Sequence, residues 1–153
     1  MANLDARTYS TRRRAIVGAL ATALEGINGT GNFRSNVAKV DTRLKFWDEV
    51  IDFPSIHINA GPETRTYETG GFRFRFMTVT IRCYVKDEDD VILELEKLLE
   101  DVESVLEDND PLEYTDSNDV TQSTAQTSIV SIDTDEGVLE PLGVGEIVAE
   151  IRY

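Results

Sequence analysis

Few residues in this chain could do chemistry: one histidine, His57, one cysteine, Cys83, and a large supply of carboxylates. One histidine and one cysteine fall short of the ligand set of a usual zinc site. The sharp turn that presents a serine nucleophile carries a GxSxG pattern, and the chain has none. In FPSIHINAG, residues 53–61, His57 alternates out of phase with Ile56 and Ile58, which places it at the surface or rim of a strand. GINGTG, residues 26–31, is glycine-rich, but a phosphate loop follows a strand, opens a helix and ends in GK[ST]. This stretch follows a helical pattern and reads as a helix C-cap. DTDEG, residues 133–137, starts like a calcium loop. Gly137 stands where a third Asp or Asn belongs and no bidentate glutamate follows, so it reads as a hairpin turn. The acids at 87–90 read as a helix start. In FRFRF, residues 72–76, arginines alternate with phenylalanines, a pattern suited to stacking on nucleic acid, yet no wider basic patch surrounds it. An enzyme is therefore not expected, and no catalytic, cofactor or metal residue is assigned. Binding is the remaining chemistry.

Charge sharpens that expectation. The 153 residues carry a net charge of −14, which on average repels nucleic acid. Residues 1–50 are net +3, residues 51–83 net +1 and residues 84–153 net −18. Such polarity suits an electrostatic face for a partner or for another copy of the chain, although the acids could simply be solvated. Hydrophobic residues make up 41%, enough for one globular domain over 1–153. A lone cysteine cannot form an internal disulfide, and no apolar run reaches the ~20 residues that span a bilayer.

These residues must be positioned by a small set of elements. STRRRAIVGALATALEGINGTG, residues 10–31, has two readings, a secretory signal or an amphipathic helix. Ile16, Val17, Leu20, Leu24 and Ile27 recur at helical spacing, with Thr22 and Glu25 facing away, which favours the helix capped by Thr8 or Ser10. Arg12, Arg13 and Arg14 then lie in its first turn, where the macrodipole disfavours positive charge and an acidic partner surface would compensate. Pro54 to Ala60 reads as a short strand, Gly61-Pro62 as a turn, residues 64–69 as a second arm, and Gly70-Gly71 as a hairpin tip.

Residues 71–87 form the strongest strand. Phe72, Phe74 and Phe76 share one face, whereas Met77, Val79, Ile81, Cys83 and Val85 share the other. Either the strand is re-aimed by a bulge, or its first half projects as a hairpin whose phenylalanines are covered by another subunit. A helix over roughly 88–107 follows, with Val91, Ile92, Leu95, Leu98, Leu99, Val102, Val105 and Leu106 on one face. Residues 108–126 are polar and acidic, hence mobile or ordered by a partner. TSIVSID and LGVGEIVAEIRY close the chain as a strand pair. The expected class is α+β: a mixed, mostly antiparallel sheet, two amphipathic helices packed against it, and a projecting β-hairpin arm.

From about residue 9 onward, this order of pieces resembles the tail terminator (tail completion) proteins of tailed bacteriophages. The resemblance rests on the amphipathic helix, the proline-started FPSIHINAG, the long FRFRFMTVTIRCYVKD arm, the acidic helix and the closing TSIVSIDTDEGVLEPLGVGEIVAEIRY. It implies a structural virion protein of the tail or neck, assembled in the host cytoplasm as a subunit of a homo-oligomeric, hexameric ring. Such a ring caps the tail tube, stops further addition of tube protein and offers a surface to the head–tail connector. A tail sheath would be a further partner if the tail contracts; genomic DNA would pass through without specific binding, and no membrane is involved. Arg12, Arg13, Arg14, Phe72, Arg73, Phe74, Arg75 and Phe76 would then be interface residues, meeting a neighbouring subunit or the tube. The rival readings are another neck or head-completion component, and a small enzyme or ligand-binding domain.

Overall fold

The computed structural model describes residues 11–153. Its elements are α1 (Arg12–Leu24), β1 (Lys39–Asp41), a single 3-10 turn (Trp47–Glu49), β2 (Ser55–Tyr67), β3 (Arg73–Lys86), α2 (Val91–Asp108), β4 (Glu113–Thr115), β5 (Thr121–Ser123), β6 (Gln126–Thr134) and β7 (Leu142–Arg152). Five strands make one sheet in the order β1-β2-β3-β7-β6, and β4 pairs with β5 in a second, small sheet. β1 runs parallel to β2, and the other pairs are antiparallel. The class is α+β, as the order of patterns implied.

α1 starts where Thr11 accepts the Arg14 backbone N–H at 3.1 Å; the expected caps Thr8 and Ser10 lie outside the described residues. Its stripe of Ile16, Val17, Leu20 and Leu24, continued by Ile27, is buried, so this stretch serves as a core helix. α2 begins at Asp90, whose side chain accepts the Leu93 N–H at 3.1 Å, an anion placed where the macrodipole favours it. α1 packs on β2 and β4, and α2 on β3 and β7. Beneath them lie Met77, Val79, Ile81, Cys83 and Val85 of β3 with Ile147, Ala149 and Ile151 of β7, all buried. The α2 stripe departs from expectation at both ends of the polarity scale. Ile92 is exposed, whereas Asp101 is 3% exposed.

Asp101 is buried because it has donors to accept. Its carboxylate takes the Arg34 N–H at 3.0 Å and the Ser35 N–H at 2.7 Å, which fastens the α1–β1 connection to α2. Asp101→Ala would leave those amides without acceptors, at a cost of roughly 1–3 kcal/mol. A lower thermal midpoint with an unchanged far-UV spectrum is the expected result.

β2 differs from the two short pieces expected. It is one strand through Tyr67, with a bulge between Ala60 and Glu63. Gly61-Pro62 bends the strand without turning the chain. A Cβ on Gly61 would sit 3.2 Å from the Thr78 carbonyl oxygen, so glycine allows the close approach. Proline is tolerated at a bulge because no ladder N–H is needed there. The reversal comes at Gly70-Gly71, with φ of +91° and +86°, where the Glu68 N–H donates to the Phe72 carbonyl at 2.7 Å. Segment 108–126, expected to be mobile or ordered by a partner, carries the β4–β5 hairpin, with Leu112 and Tyr114 buried on the core.

A further correction concerns His57, which is 1% exposed and not at a rim. The segment after β1 folds back over the sheet face opposite the helices. The His57 Nδ1–H donates to the Arg43 carbonyl at 3.0 Å, and Ser55 Oγ lies 3.2 Å from Nε2. The Tyr84 ring meets the imidazole edge-on at 5.4 Å, and its hydroxyl donates to the Lys45 carbonyl. Alternation along β2 gave the face correctly, but a covering loop has no period to reveal it.

Burial pushes the His57 pKa below its ordinary 6.5, against the opposing pull of the Arg43 carbonyl. The unfolded chain therefore binds this proton more readily than the folded one. Above 6.5 the group is neutral in both states and costs nothing; as pH falls through 6.5 stability drops, until the folded pKa is passed. His57→Gln is expected to lose less stability than the parent between about pH 7.5 and about pH 5.5, read from urea midpoints.

Candidate interaction surface

β2 and β3 continue past the helices as a two-stranded arm. Beyond the bulge, Glu63, Arg65 and Tyr67 pair with Met77, Arg75 and Arg73, while Thr64 and Thr66 pair with Phe76 and Phe74. Pairing alternates between faces, so the phenylalanines project on the face away from the helices. Phe72 is 70% exposed, Phe74 40% and Tyr67 69%, with Phe76 partly covered. The bulge expected in the strand at 71–87 is absent there: β3 pairs with β7 in continuous register, the bulge lies in β2 between Ala60 and Glu63, and the first part of β3 projects with β2 as the arm. β1 pairs only with Ser55–His57, so the rest of β2 presents a strand edge.

Two arginines of α1, Arg12 and Arg13, converge on the base of this arm. Arg12 donates to the Tyr114 hydroxyl at 2.7 Å, and its guanidinium lies 5.1 Å from the Tyr153 ring centroid. Arg13 donates to the Gly61 carbonyl, which the bulge releases from the ladder. Arg14, exposed like Arg12, donates to the Thr42 hydroxyl at 2.8 Å, away from the arm. Positive charge in the first turn of α1 is thus offset by oxygen acceptors and an aromatic face within the chain. Arg75 approaches the same Tyr153 ring at 5.8 Å, and Arg152 lies 5.5 Å from the Phe74 ring. Arg12, Arg13 and Arg75 therefore meet around Tyr153, whereas Phe72 and Arg73 lie out at the tip.

Tyr153 and Glu63 are members of this cluster that sequence reasoning missed. The Tyr153 hydroxyl donates to the Glu63 carboxylate, which also accepts from Arg65 at 2.8 Å. Burial and that carboxylate push the Tyr153 pKa up to about 12. Burial would raise the Glu63 carboxyl, but the bonds from Tyr153 and Arg65 hold it below its ordinary value. A tyrosine just past the end of β7 gives no periodic signal, and Glu63 looks like any solvated acid until the bulge turns it inward.

The other chemistry-bearing groups serve structure. The Asp135 carboxylate accepts the Leu139 and Val144 amides at 3.1 and 3.2 Å, as a hairpin turn requires. Cys83 is fully buried, which pushes its thiol up to about 12. Among the described residues no group of three or more His, Cys, Asp or Glu gathers to hold a metal ion. No described helix is long and apolar enough to cross a membrane.

Residues 6–153 match the family described as Bacteriophage Tail Tube Terminator Protein. The tail tube terminator protein p142 of Escherichia phage T5 is 31% identical over 154 residues, covering 98% of this chain and 94% of the relative. A chain from the virion of a native gene transfer agent particle shares the fold with a TM-score of 0.52 at 11% identity, covering 93% of both chains.

Proposed function

The chain belongs to the bacteriophage tail tube terminator proteins, and on that premise we propose that it assembles as a hexameric ring on the end of the tail tube. The ring ends tube polymerisation and offers its outer face to the head–tail connector. It is a structural part of the virion tail or neck, assembled in the host cytoplasm, with genomic DNA passing through an acidic opening that does not retain it. A sheath protein is a further partner where the tail contracts. No step of this role needs a catalytic residue, and none is assigned.

The observation that carries the reading is the arm. Its aromatic face, with Phe72, Phe74 and Phe76 interleaved with Arg73 and Arg75, extends past the helices that cover the rest of the core. Exposed aromatics with arginines are the residues that anchor subunit contacts. The charge division supports a head-to-tail arrangement, in which the basic N-terminal half of one copy faces the acidic C-terminal half of the next. Arg14 is the arginine of α1 best placed to reach a neighbour. Arg12 and Arg13 act mainly by holding the arm's base in position.

Light scattering tests the assembly step. The expected result is a species of six 17.1 kDa copies, alone or on tube ends, that weakens as salt rises. A chain that stays monomeric even with tubes present overturns the ring.

A further inference from the structure

The face opposite the helices holds a cavity of about 350 Å³ at the far end of the sheet from the arm's tip. Its apolar lining includes Phe46, Trp47, Leu139 and Val144, and Asp133 and Glu146 lie among them. Phe46 is 70% exposed and Trp47 48%, so two large aromatics stand half in solvent beside an open hollow. Arg82 pairs with Glu146 at 2.9 Å, leaving the carboxylates of the cavity in excess.

Resting on the ring reading, we propose that this cavity receives the arm tip of a second copy, with Phe72 entering between Trp47 and Leu139 and Arg73 meeting Asp133. The match is one of chemistry and of charge. The tip offers an aromatic ring that is 70% exposed, beside a free-standing arginine; the cavity offers an apolar lining and surplus acid. Within one chain the two cannot meet. They sit toward opposite ends of β3, about 40 Å apart at roughly 3.3 Å per residue, and the arm points away from the cavity. A tip at one end and its socket at the other make a heterologous contact, the type that generates a ring when the rotation closes. Seating Phe72 would also cover the exposed half of Trp47.

Cross-linking tests this directly, because Cys83 is buried and leaves introduced thiols as the reactive ones. Full-length Thr69→Cys and Val138→Cys chains, which keep Phe72 and Leu139 and place exposed thiols beside them, are mixed, allowed to associate alone or on tail tubes, and treated with a short bis-maleimide. The expected product is a dimer between the two variants, absent when either is used alone and absent when Glu25→Cys replaces Val138→Cys. Trp47 is the only tryptophan, so association of the parent chain should shift its emission to the blue and Arg73→Glu should reduce that shift. Oligomers that form without the cross-link and without the emission change overturn the docking and leave the ring standing. No association under either condition overturns both.

Discussion

Phe74→Asp is expected to leave the chain folded and to abolish its self-association. The side chain is 40% exposed on the arm, beyond the helices, and the Arg152 guanidinium lies 5.5 Å from its ring. A carboxylate there gains that guanidinium as a partner, and the backbone pairing with Thr66 is untouched. Folding stability should therefore change by less than about 1 kcal/mol. In an interface the same carboxylate would be desolvated where an aromatic anchor was buried, a loss of about 2–4 kcal/mol at each contact. A ring repeats that loss at every subunit boundary, so partial assembly is not expected. Circular dichroism and light scattering on one sample separate the two effects. Normal assembly of the variant would remove the arm from the subunit contact.

Ile81→Ala should have the opposite signature, a large loss of stability with the arm unaltered. Ile81 is fully buried at the centre of β3, directly opposite Ile58 on one side and Ile147 on the other, both fully buried. Removing its side chain forfeits the transfer free energy and leaves a void that paired strands cannot close, about 2–5 kcal/mol. Against a typical domain stability of about 5–15 kcal/mol, that is a substantial fraction. The expected result is a much lower urea midpoint with an unchanged slope. A change under about 1 kcal/mol would mean that the strand register places another residue at this point.

These two residues also mark what could be read without coordinates. The run Met77, Val79, Ile81, Cys83, Val85 alternates strictly, and the sheet buries each of them under the helices. The switch of the apolar face at Phe76 was equally legible, and it corresponds to the point where the helices stop and the arm begins. The stripes of α1 and α2 placed both helices correctly because each buries a continuous face. What escaped depends on contacts between distant segments. His57 is covered by residues 43–50, Asp101 is buried by amides from the α1–β1 connection, and Gly61-Pro62 bends where a turn was expected. β1, three residues long, is too short to show a period. The interaction surface was half visible. Alternating phenylalanines and arginines marked the arm, but its base, where Tyr153 gathers Arg12 and Arg75, exists only once α1, β3 and the residue after β7 meet.

The central claim is that this chain closes the end of a growing tube. The most direct measurement adds the purified protein to polymerising tail tube protein and follows tube length by electron microscopy. The account predicts that elongation stops at a length set by the time of addition, with ring density on one end of each tube. Tubes that keep lengthening at the same rate, with bare ends, would contradict it.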